Sequence, residues 1–288
     1  MVENEYIQRI NQAMNYIQGN LDQSLTAEEL ADHCCFSRFY FGRMFKAVTG
    51  ENVYAFIKRR KLENAAFLLK TRVSLPITEI ALMSGYSPSN FASAFKEHFG
   101  ISATEFRNNR EYSSKVSNFP IVEHILELKR RDDRYDIVNS RITVRRIRQM
   151  DLLYERFIGN YHDLSGFWEE FCKMAENRRL INEKTDFIGI SYDDPFITDE
   201  NRCIYDVCIN VDNFQGPNLH KIEEGYYACY RFSDYLSNLG KAYNEIFLFW
   251  MPFCGYKLEN KLSLEIYQTD VDAEGRTTLD ICIPVSMD

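Results

Sequence analysis

The sequence predicts two unlike regions: an all-α N-terminal domain with two helix-turn-helix motifs joined by a long helix, and an α+β C-terminal domain made of two pseudo-symmetric β-α-β-β repeats. Three observations lead there. Residues 25–60 and 75–110 align without gaps at an offset of 50. Residues 156–211 resemble residues 231–285 at an offset near 75. Between the two repeats, apolar residues change from helical spacing to alternation.

Each copy of the first repeat reads as a short helix, a tight turn and a second helix. In the short helices (26–33 and 77–84), Leu30 and Ala31 match Ile80 and Ala81 as the inward pair. The turns are Cys34-Cys35-Phe36-Ser37 and Ser84-Gly85-Tyr86-Ser87. Gly85 suits a positive φ, and Ser37 and Ser87 suit the N-cap of the next helix. Those helices run to Gly50 and Gly100, which act as stops. Phe41 and Phe45, like Phe91 and Phe95, lie four residues apart on one buried face. The outer face of the first then carries Arg38, Phe39, Gly42, Arg43 and Lys46, and that of the second Pro88, Ser89, Asn90, Ser93 and Lys96. A helix that presents Arg, Asn, Ser and Lys after a short turn suits the major groove of DNA.

Residues 53–69 read as one amphipathic helix that holds the two reading helices about one DNA turn (~34 Å) apart. Its basic run, Lys58-Arg59-Arg60-Lys61, is either a solvated face or a set of phosphate contacts, with Lys58 and Arg59 the residues assigned to phosphate.

Charge supports this division. The 288 residues carry a net charge of −8, but residues 1–112 hold 13 Lys and Arg against 12 Asp and Glu, and residues 113–288 hold 21 against 30. The acidic half is the part expected to stay away from phosphates. The eight cysteines show no CxxC spacing and read as buried reduced thiols rather than a disulfide framework or zinc site. No apolar run reaches the roughly 18 residues of a membrane span, and the N-terminus has no apolar leader. A cytoplasmic protein without membrane, metal or cofactor is therefore expected.

Residues 113–140 read as a charge-mixed linker with one short apolar element at 121–128. The domain division is thus 1–112, 113–140 and 141–288. In the last part, strands are expected at 143–148, 152–158, 187–192 and 203–211, and again at 220–223, 226–232, 262–268 and 277–285. Helices are expected at 165–179 and 236–250.

Two families are similar. The segments LTAEELADHCCFSRFYFGRMFKAVTG (25–50), YAFIKRRKLENAAFLL (54–69) and ITEIALMSGYSPSNFASAFKEHFG (77–100) resemble the AraC/XylS family of bacterial regulators over about residues 5–111. The resemblance implies base contacts from Phe39, Gly42 and Arg43 in the first reading helix, and from residues near Ser89, Asn90 and Ser93 in the second. It implies double-stranded promoter or operator DNA as partner, with RNA polymerase as a further one. Gly42 and Ser93 stand where the family has longer polar or basic side chains, which leaves Arg43 and Phe39 to supply most of the specificity.

The paired segments GISYDD (189–194) and LEIYQTD (264–270), with YDVCINV (205–211) and LDICIPV (279–285), resemble the GyrI-like effector-binding domain over about residues 141–286. The resemblance implies a groove for an amphipathic or cationic aromatic small molecule. Glu265, within the apolar run Leu264-Glu265-Ile266-Tyr267, matches Gly189 of the other copy. A carboxylate in such a groove needs a cation or hydrogen bonds. Tyr192, Tyr205, Trp168, Phe249, Trp250 and Tyr267 are the candidate walls. The expected function is a DNA-binding transcription regulator that senses such a ligand, and not an enzyme. Two alternatives stay open: a hydrolase of small electrophiles with Glu265 as base and Tyr192 or Tyr267 as acid, and a constitutive regulator whose second domain docks a protein.

Overall fold

The computed structural model describes residues 2–72, 74–108 and 133–287, which fall into two compact units, Met1–Ser113 and Ser114–Asp288. The expected apolar element at 121–128 lies outside the described residues.

The first unit is helical, as the sequence predicts. Helices α2 (Ala27–His33) and α3 (Arg38–Thr49) form one helix-turn-helix, and α5 (Ile77–Met83) and α6 (Pro88–Phe99) the other. The caps explain the boundaries. The side chains of Ser37 and Ser87 accept from the backbone N–H of Tyr40 and Asn90. Gly50 and Gly100 close the helices in the left-handed region. Thr26 and Glu29 form a capping box at α2, whereas α5 starts at Pro76 with no side-chain cap. The matching turn positions Cys35 and Gly85 both have positive φ, 55° and 72°. Only the second needs glycine for space, because a Cβ there would lie 2.8 Å from the Asp22 carbonyl oxygen.

The connecting helix α4 (Val53–Thr71) is central to this unit: Leu62, Ala65, Ala66 and Leu69 are fully buried. Two further helices were not expected from the sequence. Helix α1 (Val2–Gly19) buries Ile10, Ala13, Met14 and Ile17, and α7 (Ala103–Asn108) buries Ala103 and Phe106. The 10, 13, 14, 17 spacing is a helical signal that the surrounding Asn, Gln and Tyr residues dilute.

The second unit is an antiparallel sheet with helices. Its strands are β1 (Ile142–Ile147), β2 (Met150–Gly159), β3 (Phe187–Ser191), β4 (Cys203–Val211), β5 (Leu219–Ile222), β6 (Gly225–Tyr235), β7 (Tyr256–Leu258), β8 (Leu264–Tyr267) and β9 (Arg276–Met287). Eight of them follow the order β1-β6-β9-β8-β3-β4-β2-β5, and β7, absent from the sequence reading, pairs with β9. Helix α8 (Arg134–Asn139) lies within the stretch read as linker, yet Val138 is fully buried in this unit's core.

Alternation divides the sheet's side chains. One set packs under helices: Leu153, Tyr205, Val207 and Ile209 under α9 (Leu164–Asn177), and Ala228, Tyr230, Leu279 and Ile281 under α10 (Leu239–Glu245) with its π-helical continuation Ile246–Trp250. The other set, including Tyr154, Ile188, Cys208, Cys229 and Cys282, forms a cluster of strand residues alone.

Candidate functional sites: two exposed helix faces and a buried carboxylate

In the first unit, the face left free by the buried Phe41 and Phe45 contains the expected residues. Arg38, Phe39, Arg43 and Lys46 are exposed on α3, and Gly42 is half-buried with open space around its Cα. Phe39 is 76% exposed, and the Arg43 guanidinium lies 5.8 Å from its ring centroid. Arg38 makes one loose contact, 3.8 Å, to the exposed Glu28. On α6, Ser89, Asn90, Ser93 and Lys96 are all exposed.

The basic run on α4 does not form the phosphate-contacting face considered above. Arg59 is a correction: it is 5% exposed, and its guanidinium bonds Glu51 at 2.6 Å and Glu63 at 2.9 Å. Breaking those bonds to reach a phosphate would leave two buried carboxylates. Arg60 bonds Gln18 at 2.8 Å, and Lys61 donates to the Gln23 carbonyl at 2.6 Å. Lys58 alone of the four is part-exposed, and it pairs with the exposed Glu97 of α6 at 2.8 Å. The run therefore holds the helices together: Glu63 lies one turn further along α4 itself, whereas Glu51, Gln18, the Gln23 carbonyl and Glu97 come from other segments and are not paired with the run by sequence spacing.

In the second unit, the antiparallel register places Glu265 opposite Gly189. Glu265 is 1% exposed. Its Oε2 accepts from the Tyr205 phenol and its Oε1 from the Tyr243 phenol, each at 2.7 Å. The Tyr267 hydroxyl is 3.3 Å from that of Tyr205. Trp168 packs edge-on against Tyr267 with centroids 5.6 Å apart, and its indole Nε1 is buried without a hydrogen-bond partner. Tyr243, Tyr267 and Trp168 are only partly buried, so the cluster reaches the surface at their rings.

Burial pushes the Glu265 carboxyl above its ordinary range, and the two phenols oppose this incompletely. Burial and the adjacent carboxylate push both phenols well above theirs, so Tyr205 and Tyr243 stay donors. Other buried acids of the chain have a cation. Asp206 has Arg156 at 2.7 Å, Asp280 has Arg145 at 2.9 Å, Glu51 has Arg59, and Glu245 has Arg141 at 3.5 Å. Among the described residues, none supplies a positive charge to Glu265.

Three of the expected wall residues, Tyr205, Tyr267 and Trp168, thus surround Glu265, and three do not. Tyr192 lies on the opposite face because strand residues alternate. Its hydroxyl donates to Asp206 at 2.8 Å, within a buried cluster of Arg156, Asp206 and His220. There burial opposes ionisation, but Arg156 holds Asp206 below the usual carboxylate range. Phe249 and Trp250 are core residues held at α8: Arg134 lies 6.0 Å over the Phe249 ring, and the Trp250 Nε1 donates to Asn139 at 2.8 Å. Sequence reasoning missed Tyr243, whose approach depends on where α10 docks, and gave no role to His220. A cleft of about 560 Å³ lined by Asp234, Asp270, Asp272 and Arg276, with Tyr235 and hydroxyl side chains, shares no residue with the Glu265 cluster.

A family profile described as a GyrI-like small molecule binding domain matches residues 141–286, and one described as a helix-turn-helix domain matches residues 30–109. The transcriptional regulator Rob of Salmonella typhimurium is 31% identical over 123 residues, 40% of this chain and 42% of Rob. The TetD protein of transposon Tn10 from Escherichia coli is 34% identical over 102 residues, 35% of this chain and 73% of TetD. The solved C-terminal domain of AraT, a response regulator from Geobacillus stearothermophilus, is 32% identical and matches 39% of this chain and 93% of that domain, with a TM-score of 0.34. The match to Rob therefore spans less than half of its length.

Proposed function

From the premise that this chain belongs to the AraC/XylS family of DNA-binding transcription regulators and carries a GyrI-like domain, we propose that its second unit binds a lipophilic aromatic cation at Glu265 and that this binding biases DNA recognition by α3 and α6. One observation carries the reading: Glu265 is a buried carboxylate with two phenol donors and, among the described residues, no cation. An ionised carboxylate accepts about four hydrogen bonds. Two are used, so acceptor capacity remains for an ammonium or similar group, and the neighbouring rings of Tyr267, Tyr243 and Trp168 suit an aromatic cation.

A duplicated unit belongs to the same reading, with one strand more than the β-α-β-β of the sequence: β-β-α-β-β. Exchanging β1, β2, β3 and β4 with β5, β6, β8 and β9 turns the strand order into its own reverse, which supports a two-fold relation. The bidentate pair of Arg156 with Asp206 recurs as Arg231 with Asp280. The relation places Gly189 and Glu265 side by side near its axis, so one carboxylate serves the centre of the domain.

In the DNA-bound state, Arg43 and Phe39 read bases, Ser89, Asn90 and Ser93 contribute from the second helix, and Arg38, Lys46, Lys58 and Lys96 contact phosphates. RNA polymerase is the further partner in this reading. A ligand alters DNA binding only if it favours one of two states. The test is operator affinity of the full chain with and without a lipophilic cation, repeated with Glu265→Gln. A cation effect that the substitution removes supports the proposal, and an effect that survives it overturns the assignment of Glu265.

A further inference from the structure

Cys229 and Cys282 are free thiols directly opposite each other on β6 and β9, with their sulfurs 2.9 Å apart. Opposite residues of an antiparallel pair have Cα atoms about 4.5–5.5 Å apart, inside the roughly 4.4–6.8 Å that a disulfide requires. A bond between them therefore needs no backbone movement. The Arg145 guanidinium donates to the Cys229 sulfur at 3.2 Å and also pairs with Asp280 at 2.9 Å.

The corresponding place in the first half of the domain contains different chemistry. There His220 pairs with Asp206 at 2.7 Å and stacks on Tyr154 at 4.0 Å, and Tyr154 faces Cys208. The second half puts a guanidinium in place of the imidazole and a thiol in place of the ring. It also opens to solvent. Cys229 pairs with Thr143 on the edge strand β1, and Thr143 and Arg145 are both exposed, although Cys229 itself is 5% exposed.

We propose that Cys229 and Cys282 form a peroxide-reactive dithiol, in which Cys229 is the attacking thiol and Cys282 resolves it to an intrachain disulfide. The Cys229 thiolate attacks the distal oxygen of a hydroperoxide and breaks the O–O bond. It becomes a sulfenic acid, and the leaving alkoxide or hydroxide takes a proton to give an alcohol or water. The Cys282 sulfur then attacks the Cys229 sulfur, forms the S–S bond and expels water. Two thiols lose two electrons and two protons, and the peroxide takes them up.

The local interactions favour this division of roles. The hydrogen bond with Cys282 and the Arg145 guanidinium hold Cys229 below the usual thiol range against the effect of burial. The same bond, with burial, pushes Cys282 up, so it keeps its proton until the second step.

The experiment treats the reduced full chain with a small excess of hydrogen peroxide, blocks remaining thiols by alkylation and maps peptides by mass spectrometry. The expected product is a cross-link between Cys229 and Cys282 that dithiothreitol reverses, while the buried Cys208 stays reduced. Cys282→Ser should leave Cys229 as a sulfenic acid trapped by dimedone. Arg145→Ala, which keeps both thiols, should slow the reaction about tenfold. Oxidation confined to the exposed Cys35, with Cys229 and Cys282 both still alkylated, overturns the proposal. So does oxidation of Cys229 without a cross-link in the unsubstituted chain.

Discussion

The phenol oxygen of Tyr205 fills the space that a side chain on Gly189 would need: a Cβ built on Gly189 would lie 1.7 Å from it and 3.1 Å from the Glu265 Oε2. The missing side chain of one strand is what lets a tyrosine of the next reach the carboxylate of a third. Gly189→Ala should therefore expel the ring and leave Glu265 with Tyr243 alone. The expected cost is about 3 kcal/mol from overpacking and a lost charge-assisted hydrogen bond. Calorimetry of the full chain checks it, and an unchanged transition for the second unit would contradict the packing.

Folding raises Glu265 above the usual carboxylate range, so the folded chain holds that proton more tightly than the unfolded one. The resulting stability is complete below about pH 4.3, the ordinary value of a glutamate, and is lost as pH rises through the raised value. Glu265→Gln removes this dependence. The variant should melt higher than the unsubstituted chain near neutral pH, with the difference shrinking toward pH 4. A substitution that lowers the melting temperature at neutral pH would mean that the carboxylate is compensated by something other than the two phenols.

On the first reading helix, Arg43 and Gly42 make opposite predictions. Arg43→Ala should weaken binding to the cognate operator by about 1–3 kcal/mol and relax base preference at one position. Gly42 has open space around it, so Gly42→Ala should stabilise the helix by about 1 kcal/mol. Fluorescence anisotropy on cognate and scrambled duplexes, with melting in parallel, separates the two effects.

Within α4, Lys58 and Arg59 are neighbours in sequence with different duties. Lys58→Ala should weaken binding to all duplexes alike and flatten the dependence on salt. Arg59→Ala removes the cation between Glu51 and Glu63 and should destabilise the first unit by about 3–5 kcal/mol. Denaturation curves check the second, and full stability of Arg59→Ala would show that the buried network is replaceable.

Both helix-turn-helix motifs were legible in sequence because local signals agreed there: serine caps, glycine stops and pairs of phenylalanines four residues apart. The strands of the second unit were legible through alternation, as was the match of Glu265 with Gly189. What the sequence did not reveal depends on packing between distant segments. Tyr243 meets Glu265 only because α10 docks on the sheet, and Arg60 and Lys61 are held by Gln18 and the Gln23 carbonyl, which lie 42 and 38 residues away. Tyr192 was misplaced by one strand position, since the residue after Ser191 faces away from Tyr205. Phe249 and Trp250 carry the ring types expected of a ligand wall, but they fill the core where α8, unseen in the sequence, closes over them.

The most direct measurement is thermal melting of the full chain and of Glu265→Gln against lipophilic aromatic cations and their neutral isosteres at neutral pH. Our account predicts that cations stabilise the unsubstituted chain, that neutral isosteres do so less, and that Glu265→Gln abolishes the difference between them. Equal stabilisation by cations and neutral isosteres, or a cation response that persists in Glu265→Gln, would contradict it.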